Sequence, residues 1–265
     1  FYKKALEIDP RHTNSNYNLG LIFYKLKDLK TAKSYFKKTI SIQNNYALAF
    51  FSLANVHVDL KEFEDALSCY QKTIEINPNI VGAYNNLGLV FRALNDFENA
   101  INSYQEAIKI QPNHSGAHHN LAQAFKESGE FEKAIKHHQM SIKYEPENLT
   151  HYYFLAELKK DILDEELKKK VEMILADAKS TKRNMSYGNY LLARYERKKK
   201  NYEKELNYLI KGHQNYFLSK KKKFDLGIKY CFDDVIQIME GAKVDKLGGK
   251  KDDKLKPIFI IGVPR

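Results

Sequence analysis

A spacing of 34 residues runs through the first half of this 265-residue chain and constrains its fold more than any other feature. Pro78, Pro112 and Pro146 recur at that interval, and Pro10 fits two periods before Pro78 with Asn44 in the gap. Leu19, Leu53, Leu87 and Leu121 keep the same register, each followed by a small residue: Gly20, Ala54, Gly88, Ala122. Ala32, Ala66, Ala100 and Ala134 do likewise, and four residues after each stands a ring: Phe36, Tyr70, Tyr104, His138. A fixed period of this length marks a supersecondary unit that can bury its apolar face only against a copy of itself. The expected product is a stacked array without a single central core.

Within one unit, Val81 to His114, the spacing has a physical reading. Tyr84, Leu87, Gly88 and Phe91 stand at i, i+3, i+4 and i+7 and line one helix face. The break Leu94-Asn95-Asp96 follows, and Ala100, Ile101, Tyr104, Ala107 and Ile108 mark a second amphipathic helix that Pro112 closes. The small residues Gly88 and Ala100 let the two helices cross closely. This pattern resembles the tetratricopeptide repeat, with full units beginning at Thr13, Ala47, Val81 and Ser115 after a partial one. The resemblance implies an all-α, right-handed superhelical solenoid whose concave groove takes a protein or peptide ligand. Asn18, Asn86 and Asn120 recur just before the Leu-small pair, with Ser52 breaking the series, on the face that lines the groove in such arrays. An asparagine amide offers donor and acceptor together and can hold an extended peptide backbone.

Four segments are expected: the array over 1–156, a degenerate helical tail over 157–240, a charged linker over 241–256, and a change of pattern over 257–265. In the tail, Asp164 is placed to cap a helix burying Leu167, Val171, Ile174, Leu175 and Ala178. Ser186 to Ser219 reads as one more unit, with Leu192-Ala193 as its Leu-small pair and Tyr202 opening its second helix. Glu205 replaces the small residue at that crossing, which predicts a looser fit. Phe224 to Met239 shows another apolar helical face, ended by Gly241.

The final stretch, Pro257-Ile258-Phe259-Ile260-Ile261, is a continuous apolar run suited to a buried parallel strand, and Gly262-Val263-Pro264-Arg265 follows. A strand entering a Gly-containing turn is how phosphate loops begin. The segment resembles the opening of the 5′-phosphosulfate loop of sulfotransferases, so the whole is similar to a tetratricopeptide-repeat sulfotransferase cut at the start of its α/β, P-loop-like catalytic domain. The resemblance implies 3′-phosphoadenosine 5′-phosphosulfate as donor in the parent protein, a hydroxyl or amine as acceptor, and Gly262, Pro264 and Arg265 at the donor phosphate. This fragment is then a binding element without catalytic competence. The alternative is a pure tetratricopeptide binding module joined to another P-loop or α/β domain. A repeat-bearing glycosyltransferase is a weaker reading, because Gly-x-Pro-Arg is not expected there.

Composition limits the remaining classes. The net charge is +11, and nearly all of the excess lies after residue 156 in lysine runs such as Lys220 to Lys223. No aromatic-interleaved motif accompanies those runs, so they read as solvated faces, and no nucleic-acid partner is expected. No apolar run reaches membrane-spanning length, so no membrane partner is expected either. Cys69 and Cys231 lack metal-type spacing and read as small buried hydrophobes, which suits a reducing, cytoplasmic setting. His118-His119 and His137-His138 bring four imidazoles into one unit, but His118 and His138 fill the slots of Tyr84 and Tyr104. They read as packing substitutes, and no metal is expected.

Overall fold

The structure, a computed structural model, describes residues 1–219, and Phe1–Tyr216 form one compact unit. Thirteen α-helices and one 3-10 turn account for the described residues, and no strand occurs among them. After α1 (Tyr2–Ile8), four antiparallel pairs follow. They are α2 (Thr13–Lys25) with α3 (Leu29–Ile42), α4 (Ala47–Asp59) with α5 (Phe63–Ile76), α6 (Val81–Ala93) with α7 (Phe97–Ile110), and α8 (Ser115–Glu127) with α9 (Phe131–Tyr144). Each second helix packs on the first helix of the next pair, so the array is an all-α solenoid. No described helix is long and apolar enough to cross a membrane.

The recurring residues do what their spacing implies. Ala32, Ala66, Ala100 and Ala134 are fully buried at the helix crossings, and Phe36, Tyr70, Tyr104 and His138 are buried beside them. Gly88 shows why the Leu-small pair is needed. A Cβ there would lie 2.6 Å from the Tyr104 ring, closer than real carbon contacts allow. The ring of one helix thus fills the space vacated by a side chain on the other. Each second helix stops two residues before its proline, as at Ile76 and Pro78, because the residue before proline is driven out of the helical region. Gln43, followed by Asn44, ends α3 with the same bond to the carbonyl four residues back that Asn77 makes.

The turn between paired helices also keeps the period. Lys27, Lys61, Asn95 and Gly129 all hold positive φ, between 62° and 87°. Gly129 and Asn95 suit that left-handed position; the two lysines carry the conformation because packed helices on both sides fix it.

Past the fourth pair the pattern changes. Helix α10 (Leu149–Leu158) is followed by the 3-10 turn Lys160–Ile162 and then α11 (Glu165–Ala176), capped by Asp164, whose carboxylate accepts from Leu167 N at 2.8 Å. Lys168 stands where the crossing alanine would be and Glu172 where the ring would be, so α11 lacks the surface that closes a normal pair. It packs instead on α12 (Lys182–Lys198), burying Val171 and Ile174 among Leu191 and Leu192. Ala178, expected in that helix, lies beyond its end and is exposed.

The last described pair, α12 with α13 (Tyr202–Ser219), restores the pattern. Lys200 takes positive φ in the turn, and Leu192 and Ala193 are buried. Glu205, at the position of the crossing alanine, is buried and holds Arg197 Nε at 2.7 Å. A local close approach of the two helices lies at Gly212, where a Cβ would meet the Tyr190 ring at 2.6 Å. The apolar face Phe224 to Met239, the linker 241–256 and the strand-like Pro257 to Ile261 lie outside the described residues.

Leu87 and Leu89 separate the two faces of α6, at 7% and 37% exposure. Leu87→Ala is expected to cost roughly 2–5 kcal/mol in urea denaturation, since it empties a site between packed helices, whereas Leu89→Ala should stay within about 0.5 kcal/mol.

Candidate functional site

The first helix of each pair carries the polar residues that neighbouring pairs bring together. Asn120 Nδ2 donates to Asn85 Oδ1 at 2.9 Å, Asn85 Nδ2 to Asn86 Oδ1 at 3.2 Å, and Asn86 Nδ2 to Asn55 Oδ1 at 3.0 Å. The Tyr70 hydroxyl donates to the same Asn55 oxygen at 2.6 Å. Three consecutive first helices, α4, α6 and α8, are thereby joined by one amide ladder. Asn86 and Asn120, singled out by their spacing, both belong to it. Asn18 does not: its amide donates to Asn14 O on its own helix at 2.8 Å, and the contact to the next unit passes instead from Tyr17 OH to Ser52 Oγ at 3.3 Å.

Two members, Asn55 and Asn85, escaped the sequence reading. A signal for Asn85 existed: it stands in the slot that holds Tyr17, Phe51 and His119 in the other units, a small amide among rings. Gly262, Pro264 and Arg265 lie outside the described residues.

Beyond Asn120 the ladder opens on a cavity of about 870 Å3 between the ends of α8, α10 and α12. His119, Asn120, Glu145, His151, Arg183 and Asn184 are among its walls. His119 Nδ1 lies 3.3 Å from His151 Nδ1, and His151 Nε2 lies 3.3 Å from Glu145 Oε2. The site combines amides, imidazoles, the carboxylates of Glu145 and Glu147 and one guanidinium, a set able to hydrogen-bond a peptide backbone and its polar side chains.

The histidines behind the cavity divide by role. His118 Nε2 sits 3.0 Å from the Pro112 carbonyl, the same latch that Asn16 Nδ2 makes to Pro10 O and Tyr152 OH to Pro146 O. His118 therefore replaces a latching tip, and its Nδ1 faces His137 Nδ1 at 3.0 Å. His138 is fully buried in the ring slot, parallel to Phe154, and neither of its nitrogens has a hydrogen-bond partner among the described residues. Burial pushes His137 down to about 4 and His138 down to about 3. It also holds His118, His119 and His151 below the ordinary imidazole value, Glu145 opposing the effect at His151. These rings are neutral at pH 7 and act as packing and hydrogen-bonding groups. Elsewhere, one set of three metal-ligating side chains converges among the described residues: His57, Glu62 and Asp65.

Comparison with known proteins agrees with the repeat fold. Models of the tetratricopeptide repeat match residues 1–34, 47–80, 69–102 and 117–150, and a further TPR repeat model matches 88–129. The chain carries tetratricopeptide repeats. Among solved structures it is similar to MamA, at 26% identity with a TM-score of 0.52, covering 55% of this chain and 85% of that one. A Pseudomonas aeruginosa pilF structure aligns at 18% identity with a TM-score of 0.62, over 79% of this chain and 93% of that one. YrrB, described as a TPR protein with an unusual peptide-binding site, aligns at 15% identity with a TM-score of 0.53, over 78% and 96%. The last two likenesses show the tetratricopeptide fold alone. None of the curated proteins matches the chain at a significant level.

The buried imidazoles set an acid limit on the array. They are neutral in the folded protein and take up protons in the unfolded chain below the ordinary value of 6.5. The unfolded state then binds more protons, so stability is lost as pH falls from about 6.5 towards 4, by at most about 1.4 kcal/mol per pH unit for each such proton. Thermal melts between these limits should show a falling Tm. His138→Phe, which restores the ring of the first unit, should flatten that dependence and be at least as stable at pH 7.

Proposed function

We propose that the chain is a protein-interaction scaffold that holds an extended peptide along the face of its first helices, between the asparagine ladder and the adjoining cavity. The observation that carries this reading is the ladder from Asn120 to Asn55, which ends beside a polar cavity large enough for several peptide residues. The Oδ1 of Asn120 and the Nδ2 of Asn55 are not used by the ladder, leaving an acceptor at one end and a donor at the other. Because each interior amide is already held by its neighbour, the side chains are ordered before a ligand arrives, which lowers the entropic cost of binding. The peptide-binding site named for YrrB supports the same class of ligand. Free Cys69, half-buried with its thiol pushed up to about 11 by burial, supports a reducing setting such as the cytoplasm.

The second part of the proposal rests on sequence. Pro257 to Ile261 followed by Gly262-Val263-Pro264-Arg265 supports a sulfotransferase that the array serves by presenting or orienting the acceptor, with 3′-phosphoadenosine 5′-phosphosulfate as donor. Gly262, Pro264 and Arg265 would meet the donor phosphate. The competing reading, a binding module attached to another P-loop domain, shares the peptide face and differs only in this segment.

A random-peptide display screen on the immobilised protein, followed by calorimetry of the selected peptides, tests the scaffold. Asn86→Ala with Asn120→Ala is expected to weaken binding by at least tenfold while Tm falls by only a few degrees; unchanged affinity would remove the ladder from the site.

A further inference from the structure

Four units of the same plan allow each slot to be compared with itself. The last ring of the first helix is Phe23, Phe91 and Phe125 in three units but His57 in the second. Five residues later, at the entry to the second helix, stand Asp28, Glu62, Asp96 and Glu130; eight residues later stand Thr31, Asp65, Asn99 and Lys133. Only the second unit places an imidazole and two carboxylates in these three positions together. The fold then brings them to one point. His57 Nδ1 lies 2.5 Å from Glu62 Oε2 and 3.5 Å from Asp65 Oδ2, and one donor atom of each residue lies within 4.8 Å of the others.

Neither packing nor helix capping requires this set. The ring slot is filled by phenylalanine elsewhere, and His57 is only 4% exposed, so a polar ring there needs a polar purpose. Asp28 and Asp96 use their carboxylates to cap the second helix through Thr31 N and Asn99 N, whereas Glu62 makes no cap bond and turns to His57. The imidazole is held on the core side, and the carboxylates approach from the solvent side, with Asp65 two-thirds exposed, which leaves a path of entry. Lys33 Nζ sits 2.7 Å from the same Glu62 oxygen, so a cation is already accommodated at this point.

We propose that His57, Glu62 and Asp65 bind a first-row divalent metal ion such as Zn2+, through His57 Nδ1 and one oxygen of each carboxylate, with water completing the shell. One imidazole and two carboxylates form a borderline nitrogen–oxygen donor set suited to such ions. Donor atoms about 2.0–2.2 Å from a tetrahedral ion stand near 3.3 Å apart. The present separations need only a small opening of the His57–Glu62 pair and a closing of Asp65. The ion takes the place of the Lys33 ammonium, and the bound metal ties the end of α4 to the start of α5.

Calorimetry with Zn2+ on the whole chain at pH 7 tests this with three variants, each first checked by thermal melting. His57→Phe restores the ring of the other units and Asp65→Asn changes an exposed group, so both should fold. Each is expected to weaken one Zn2+ site at least tenfold and to remove a Zn2+-dependent rise in Tm. Lys33→Met should bind that ion more tightly, an effect that a merely structural His57–Glu62 hydrogen bond would not produce. The imidazoles of the fourth unit are common to all variants and cancel in the comparison. Should His57→Phe fail to fold, the comparison of Asp65→Asn with Lys33→Met decides. Zn2+ binding and stabilisation unchanged in Asp65→Asn, or no tightening in Lys33→Met, would overturn the proposal.

Discussion

The contact on which the array depends is the one between a ring and a gap. In each unit a buried ring on the second helix, Phe36, Tyr70, Tyr104 or His138, lies over a glycine or alanine on the first, and a crossing alanine beside it brings the backbones together. Remove the gap and the ring has nowhere to go; remove the ring and the crossing is hollow. Because the two halves of this contact stand sixteen positions apart in a 34-residue unit, each unit closes locally, and its outer faces remain apolar until a neighbour covers them. The turn with its left-handed residue and the stop before each proline are consequences of bringing those two helices into register.

The segment from Lys159 to Ala176 has lost this contact, and its packing changes accordingly. Lys168 and Glu172 cannot cross a helix closely or fill the vacated space, so α11 leaves the pair and packs on α12. Gly188 makes this possible, since a Cβ there would strike both Leu149 and Leu175 at 2.6 and 2.8 Å. The irregular packing has a functional side: with α12 beside α10, Arg183 and Asn184 reach the cavity that His119, Asn120 and His151 line from the array.

Polar groups inside such an array have limited uses, and the structure sorts them. Asparagines at unit boundaries satisfy one another and stay accessible. His118 latches a proline carbonyl as its counterparts do. His138 occupies a ring slot at the expense of two nitrogens left without partners among the described residues, and burial keeps it neutral. His57 differs from both, because carboxylates have been placed around it.

The helices, their pairing and the buried faces were legible in the sequence, since a repeated unit makes each local choice several times over and the shared pattern stands out from the substitutions. The recurrence of Asn86 and Asn120 was legible for the same reason. The period could not supply anything set by the relation between units: that Asn120 reaches Asn85 rather than Asn86, that Asn18 folds back to Asn14, and that Asn55 closes the ladder. Nor could it show that the Glu205 carboxylate would meet Arg197 or that Gly212 would lie against the Tyr190 ring. These outcomes depend on the rotation of one helix against the next. That rotation is fixed by the summed packing of side chains distant in sequence, and only the tertiary structure decides it.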